Sequence, residues 1–338
     1  MKLRFLTLPA ADRGVYFQEA AARRQLHPVV LEKDFWVCWL LGVLFTSRFS
    51  DALVFKGGTS LSKVFGVIDR FSEDIDLSLS PEFLGLPDAG KSRNQADKWM
   101  KAAEKKCGQV VRDDVMPVLE ATVESVLGVR EASWFEFLTD SGTDSPVLLF
   151  HYETVLPTGF EYLRRSVKLE FGSLTDQKPT GRHPIRPWLA DILEPALPDW
   201  SCEVVALEIE RTFWEKATIL HAEYHRPAEK ATPDRFSRHY ADTAALGRHA
   251  AAVAALGQHE LRDKVVAWKG QFFGSSWANY AIARPGTFRL VPPAERMSAL
   301  RRDYEAMEDM YLSPPPSFEE VMSSLTSLEK RINGQLSK

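Results

Sequence analysis

Residues 55–80 read FKGGTSLSKVFGVIDRFSEDIDLSLS, a stretch that joins a glycine-rich turn to two aspartates one residue apart. Leu53 to Phe55 reads as a short strand, and Leu61 to Ile68 fits a helix of about two turns. From Ile75 to Ser80 apolar and polar residues alternate, as they do in a half-buried strand. The predicted order is therefore strand, GGTS turn, helix, and a second strand that carries the aspartate pair.

The aspartate pair, Asp74 and Asp76, has a spacing that suits metal binding. Side chains two residues apart on a strand share one face, about 6.5–7 Å apart at the backbone, so both carboxylates can converge on one site. Such carboxylates repel each other unless a cation lies between them. Oxygen-only ligands favour Mg²⁺ or Mn²⁺, and pairs of these ions serve phosphoryl and nucleotidyl transfer. A D-x-D motif without supporting motifs more often forms the solvated face of a strand. The metal-binding interpretation therefore depends on the neighbouring sequence.

The GGTS turn is the neighbour that favours a site. Glycines let the backbone approach a ligand closely, and the N–H groups at the start of the next helix can receive phosphate oxygens. The run lacks the G-K-[ST] ending of a Walker loop, and the acidic segment lacks the sixth-position glycine of an EF-hand. We expect Glu170 to complete the carboxylate set, because the alternating segment VKLEF places Lys168 and Glu170 on one face of a neighbouring strand.

Composition limits the class of protein. The chain has 338 residues, 45% of them hydrophobic, as in an ordinary water-soluble globular protein. Cys38, Cys107 and Cys202 show no C-x-x-C spacing, which favours neither a disulfide framework nor a zinc cluster. The longest apolar run, Phe35 to Phe45, is shorter than the roughly 20 residues of a membrane span, and no signal-peptide core precedes Asp12. We expect a cytoplasmic protein; its net charge of −4 argues against a general nucleic-acid coat.

Two lobes are predicted along the chain. Residues 1–198 read as an α+β lobe with helices at its amino terminus, and residues 199–338 as a mainly helical lobe. The stretch from Pro179 to about Pro198 is rich in proline and is interpreted as a loop at the boundary. Expected elements are helices at 28–47, 91–107, 113–129, 208–225, 238–256, 258–270, 294–311 and 317–333, and strands at 134–139, 147–153 and 166–171. The last helix has a predicted capping box, Ser317 with Glu320.

Three motifs together resemble a known family. FKGGTSLSKVFGVIDRFSEDIDL is similar to the signature of the AbiEii/AbiGii toxin family of nucleotidyltransferases, a branch of the DNA polymerase β-like superfamily that includes the MenT-type toxins. LEKDFWVCWLL at 31–41 is similar to the usual entry helix of this family. ERTFWEKATILHAEYHR and RHYADTAAL are similar to its lysine motif and later aspartate. The resemblance spans about residues 28–248.

The resemblance implies a fold, a reaction and a biological role. The fold would be a polymerase β-like lobe with a mixed sheet, followed by a helical lobe that contributes Lys216 and Asp242 to catalysis. The reaction would move a nucleotide from an NTP to an acceptor hydroxyl with loss of pyrophosphate, using Mg²⁺ or Mn²⁺. The role would be that of a toxin in a toxin–antitoxin or phage-defence system, with the 3′ end of tRNA as acceptor and a cognate antitoxin encoded nearby. The residues implied are Asp74, Asp76 and Glu170 for metal, and Gly57, Gly58, Thr59, Ser60, Lys63 and Lys216 for the nucleotide.

The sequence is also compatible with other roles for Lys216, for the acceptor and for the basic segment 91–107. Lys216 lies beside the apolar stripe of its helix, which also suits a surface lysine with a buried stem. The acceptor could instead be a protein hydroxyl or a small molecule, and a third possibility is a non-enzymatic binding module. Residues 91–107 carry six Lys or Arg against two acids, a pattern that predicts either an RNA-docking surface or a solvated helix face.

Ser72 is a candidate regulatory residue. It lies two residues before Asp74, so its hydroxyl would share the face of the aspartates if the strand already begins there. Phosphorylation would add about −1.5 to −2 charges beside carboxylates that share metal with a triphosphate. The alternative is that Ser72 hydrogen-bonds the preceding loop.

Overall fold

The computed structural model describes residues 3–87, 92–140, 142–157 and 165–335. It confirms the α+β class. The chain divides into two compact units. Unit 1 comprises Met1–Val64, Ser72–Gly90 and Lys98–Ala206, and unit 2 comprises Phe65–Phe71, Lys91–Asp97 and Leu207–Lys338. The domain boundary expected at residue 198 stays a prediction.

A seven-stranded mixed sheet organises unit 1. Its order is β3-β4-β5-β2-β1-β7-β6. β1 is antiparallel to β2 and parallel to β7, whereas β2 is parallel to β5. The strands are β1 (Leu53–Lys56), β2 (Asp74–Leu79), β3 (Phe135–Thr139), β4 (Pro146–Phe150), β5 (Val167–Gly172), β6 (Thr180–Pro184) and β7 (Glu203–Leu207).

Helices pack on this sheet and make up most of unit 2. Those before residue 200 are α1 (Ala10–Arg24), α2 (Pro28–Phe45), α3 (Gly57–Lys63), α4 (Arg93–Val110), α5 (Met116–Leu127) and α6 (Trp188–Ile192). Those after it are α7 (Ile209–Tyr224), α8 (Ser237–Leu246), α9 (Ala250–Ala254), α10 (His259–Phe272), α11 (Met297–Glu305) and α12 (Phe318–Ile332). None of the helices in the described part of the chain is both long and apolar enough to cross a bilayer.

Several sequence predictions of secondary structure were wrong or incomplete. The stretch 179–198 is not a loop, because it contains β6 and α6. β7 was missed altogether; its place beside β1 depends on pairing with a strand far away in the sequence. The predicted helix 238–256 is interrupted at Gly247 and forms α8 and α9.

The core of unit 1 is built around α2, which is apolar on all sides and almost wholly buried. Its Trp36 and Trp39 rings lie 5.7 and 6.1 Å from the ring of Phe150 in β4. Full burial of a large apolar side chain stabilises the fold by about 1.5–3 kcal/mol. Because α2 is anchored in this way, the polar groups that it carries have fixed positions.

The amino terminus of α12 has a capping box formed by Ser317 and Glu320. The Ser317 hydroxyl accepts a hydrogen bond from the Glu320 N–H, and the Glu320 carboxylate accepts one from the Ser317 N–H, which confirms the predicted capping box. Ser317→Ala removes one of these bonds, so we expect a loss of about 1 kcal/mol in the free energy of unfolding measured by urea titration. Ser327→Ala in the same helix is the control; its exposed hydroxyl bonds only the Ser323 carbonyl. Equal losses in the two variants would show that the cap contributes nothing.

Candidate active site

The GGTS turn is the first turn of a helix rather than a loop before one. α3 begins at Gly57, directly after β1, and ends at Lys63. The predicted helix from Leu61 to Ile68 was therefore misplaced. Gly57 has a φ of +80°, which glycine adopts at no steric cost, and this allows the strand to turn directly into the helix.

Asp74 and Asp76 lie on β2, half-buried on one face of the sheet. In the antiparallel register, Asp76 is the partner of Lys56, the last residue of β1. The Asp76 carboxylate consequently lies against the backbone of Gly57: a Cβ at residue 57 would lie 2.7 Å from the Asp76 Cγ and nearer still to one carboxylate oxygen. The aspartate pair and the glycine turn therefore form one surface.

β5 is the neighbour of β2, as the sequence predicts. The parallel register pairs Asp74 with Lys168 and Asp76 with Glu170. The Lys168 ammonium is bonded to the Glu170 carboxylate and lies 3.4 Å from Asp140. Glu170 is thus beside the aspartates but is paired with a lysine. Within the described residues, no three histidine, cysteine or acidic side chains converge as a metal site on their own.

The electrostatics of the site favour a cation. Burial and, after it, the carboxylates of Asp76 and Glu73 raise the pKa of Asp74 to about 6. Glu170 raises this pKa as well, while Lys168 lowers it. Such crowding of carboxylates makes the charged form of Asp74 costly unless a positive ion offsets it.

Two hydroxyls of the turn have different environments. The buried Thr59 hydroxyl lies 2.9 Å from the Ser72 hydroxyl and also bonds the Asp74 carbonyl, so it ties α3 to the start of β2. The buried Ser60 hydroxyl has no hydrogen-bond partner among the described residues. Buried polar groups without a partner are rare, which makes Ser60 the hydroxyl of this turn with bonding capacity left.

Lys63 is paired inside unit 1. Its ammonium lies 2.7 Å from the Asp34 carboxylate of α2, and both side chains are almost completely buried. Asp34 also accepts the Trp188 N–H at 2.6 Å, and the Lys63 ammonium lies 4.6 Å from the Trp188 ring centroid. Burial works to lower the pKa of Lys63, but the Asp34 carboxylate raises it above its ordinary value. Lys63 is therefore a charged group held at the end of α3.

Sequence reasoning missed the polar residues of α2. Glu32, Lys33 and Asp34 are consecutive and buried in an otherwise apolar helix. Lys33 binds Glu73, the residue before Asp74, and Glu32 accepts bonds from the Thr154 hydroxyl and the Val155 N–H. The signal was present, because three successive charges in a buried helix need partners.

Unit 2 contains a second buried charge cluster, made of Lys216, Asp242 and Arg70. Both Asp242 oxygens accept bonds from Arg70, at 2.9 and 2.8 Å, and one also accepts the Lys216 ammonium at 2.8 Å. Burial alone would raise the pKa of Asp242, but Arg70 and Lys216 hold it far below its usual range. The structure therefore brings Lys216 and Asp242 together, and it adds Arg70, which sequence reasoning missed.

The segment that carries Arg70 is held within unit 2. The Phe71 N–H donates to the Met310 carbonyl at 2.7 Å, and the Leu312 N–H donates to the Asp69 carbonyl at 3.1 Å. Arg70 and Tyr311 also form an isolated β-bridge. These bonds fix the backbone from which the Arg70 side chain reaches Asp242.

A glycine turn packed against a strand that carries paired carboxylates suits the binding of phosphate together with a divalent cation. The family model described as nucleotidyl transferase AbiEii toxin, type IV TA system, matches residues 39–324. The chain therefore belongs to the AbiEii family, and it is a nucleotidyltransferase toxin of a type IV toxin–antitoxin family. Membership implies an NTP substrate and an antitoxin partner, and it confirms the resemblance stated from the three motifs.

A solved structure is also similar to this chain. It is MenT4, a nucleotidyltransferase toxin from Mycobacterium tuberculosis H37Rv, with 16% sequence identity and a TM-score of 0.44. The match covers 95% of this chain and 99% of MenT4. No curated protein matches the sequence.

Gly57→Ala tests the contact between the turn and Asp76. The added Cβ must displace the Asp76 carboxylate, and displacement of a catalytic group by about 1 Å can cost on the order of 10²-fold in rate. We expect a loss of that size in nucleotidyl transfer, measured with labelled NTP. Gly66→Ala is the matched control: Gly66 also has a positive φ, +61°, but no heavy atom lies within 4 Å of a Cβ there. Equal losses would attribute the effect to backbone strain and not to Asp76.

Proposed function

We propose that this protein transfers a nucleotide from an NTP to a hydroxyl of RNA in the cytoplasm, with the 3′ end of tRNA as the best candidate acceptor. The observation that carries the proposal is the contact between the Asp76 carboxylate and the backbone of Gly57. It allows one triphosphate to meet the turn and the carboxylates together. The biological setting that we propose is a toxin–antitoxin or phage-defence system, on the strength of family membership.

The residues on β2 fit a divalent cation, Mg²⁺ or Mn²⁺. Mg²⁺ is usually held by one or two carboxylates together with substrate phosphates rather than by a cage made only of protein. Asp74 and Asp76 supply two such carboxylates on one face, and burial, followed by the neighbouring carboxylates of Asp76 and Glu73, raises the pKa of Asp74. A bound divalent cation would offset the charge of the phosphates and polarise the reacting oxygen.

The other carboxylate in the proposal is Glu170. Its register position beside Asp76 supports a role in holding the cation nearest the acceptor hydroxyl. Its ion pair with Lys168 opposes that role unless Lys168 turns toward another anion. An incoming phosphate is such an anion, so Lys168 would release Glu170 and bind the substrate in the same movement.

The triphosphate is assigned to Gly57, Gly58, Thr59 and Ser60. The unpartnered hydroxyl of Ser60 supports this assignment, because it leaves bonding capacity at the turn, and glycines let the backbone approach a ligand closely. Lys63 is assigned to the nucleotide through its place at the end of α3; its buried ion pair with Asp34 opposes direct contact between its ammonium and the phosphates. Lys216 as a triphosphate or catalytic lysine, and Asp242 as a catalytic aspartate, are proposed on the family motifs alone.

The transfer reaction is tested with labelled nucleotides. Asp74→Asn and Asp76→Asn keep the shape of the side chains and remove their charges, so we expect transfer to fall by about 10²- to 10³-fold, the range typical for loss of a principal electrostatic group. The assay incubates the protein with RNA and each labelled NTP in Mg²⁺, and Asp51→Asn, at a side chain 91% exposed, is the control. Label that appears on protein or on a small hydroxyl compound, and not on RNA, would refute the RNA acceptor; no transfer to any acceptor would refute the reaction.

Ser72 is proposed as a regulatory site. Its hydroxyl contacts Thr59, so a phosphoryl group on Ser72 would break the tie between α3 and β2 and add negative charge beside Asp74. We expect Ser72→Asp to abolish transfer, and Ser72→Ala, which removes only the hydroxyl, to keep it within about threefold of the unmodified protein. The measurement is the same labelled-NTP assay with thermal stability as the control. A fully active Ser72→Asp variant would dispose of this idea.

A further inference from the structure

A row of cations runs along the outer face of α4 and the turn that follows it. Lys98, Lys101, Lys105 and Arg112 follow one another at spacings of three, four and seven residues, which places them along one side of the helix. The row extends over roughly 20 Å. Of the basic residues predicted as a docking surface, Lys91 lies outside the described residues, and Arg93 donates a hydrogen bond to the Gly274 carbonyl.

The row borders a groove of about 410 Å³ in unit 1. One wall is α4 with the turn after it, through Lys101, Lys105 and Arg112, and the other is the end of β3 with the hairpin that follows it. Residues 111–115 form a π-helical turn between α4 and α5, a feature that is often found at functional sites. It carries Arg112, which the sequence-based limits of the basic helix left out.

The charge of this face is mainly positive. Lys98, Lys101 and Lys105 are exposed and make no ion pair with the residues that the structure describes. Arg112 lies 3.5 Å from the exposed Asp113, a type of surface pair that contributes little. Two acids, Glu104 and Asp144, also line the groove; burial and the nearby Asp144 raise the pKa of Glu104, while Lys101 lowers it.

An aromatic ring is part of the lining of the groove. Phe137 of β3 is half-buried, and the Arg112 guanidinium lies 5.2 Å from its ring centroid. A ring and a guanidinium plane are both surfaces on which an unpaired base can stack. The groove therefore combines a line of cations with a stacking platform.

From this geometry we infer that the groove between α4 and β3 binds a single-stranded segment of nucleic acid, which on the proposed function is part of the acceptor RNA. A line of cations along a helix matches the regular charges of a sugar–phosphate backbone, and the Arg112–Phe137 pair matches an unpaired base. An acidic peptide would satisfy the lysines, but it would leave the stacking surface without a partner.

The position of the charge is tested by two neighbouring lysines. Lys105→Glu reverses a charge in the row, whereas Lys106→Glu makes the same change at an exposed residue about 100° away on the same helix. The probe is a labelled single-stranded RNA of about ten nucleotides, measured by fluorescence anisotropy over a range of salt without NTP or metal. We expect Lys105→Glu to weaken binding roughly tenfold and to lower the salt slope by about one, and Lys106→Glu to change affinity less than about twofold. Equal losses of affinity in the two variants would refute the inference that this groove binds the single strand.

The stacking platform is tested by Phe137→Leu, which keeps an apolar side chain and removes the ring. We expect affinity for the single strand to fall roughly 5- to 100-fold, and affinity for an RNA duplex to stay unchanged. Phe83→Leu, at another partly exposed ring of unit 1, is the control, and thermal stability of each variant shows that it folds. An unchanged affinity of Phe137→Leu, or displacement of the RNA by polyglutamate at equal charge concentration, would overturn the assignment to nucleic acid.

The outcomes for the groove and for the proposed function can be separated. Suppose that Asp74→Asn stops transfer while the groove variants bind RNA as well as the unmodified protein does; the proposed function then stands and the groove inference fails. If the groove variants lose RNA binding and the unmodified protein transfers nothing to RNA, the inference stands and the RNA acceptor fails. The binding and transfer assays, run on the same preparations, distinguish these results.

Discussion

The carboxylate of Asp76 and the backbone of Gly57 lie so close together that no side chain fits at residue 57. This contact follows from the antiparallel register of β1 and β2, which pairs Lys56 with Asp76 where β1 passes into α3. A one-residue slip would turn both aspartates to the other face of the sheet. The position of every group in the carboxylate site therefore depends on a register that requires glycine at one point.

The buried charges of α2 explain how that register is held. Lys33 binds Glu73 before β2, and Asp34 binds Lys63 at the end of α3, so α2 is bonded to both elements that form the site. Buried ions are costly unless they are paired and hydrogen-bonded, and loss of one partner leaves the other charge without compensation. These ion pairs thus fix the positions of α3 and β2 more than they stabilise the fold, because only one placement of the two elements satisfies both pairs.

Local patterns predicted the parts of the fold that local physics decides. The alternation in β2 and β5 and the apolar length of α2 were sufficient to place these elements, and the D-x-D spacing placed Asp74 and Asp76 on one face. β7 was missed, because its parallel pairing with β1 joins Phe55 to Ala206. Arg70 was missed for the same reason, since its partner Asp242 lies 172 residues away. Only the folded chain reveals such partners.

The contacts of Asp242 define what it can do. Both its oxygens accept bonds from Arg70, and one also accepts the Lys216 ammonium. Arg70 and Lys216 hold the pKa of Asp242 far below its usual range, so this buried carboxylate stays charged, whereas burial lowers the pKa of Lys216. Its contacts therefore support a positioning role, in which Asp242 orients Arg70 and Lys216.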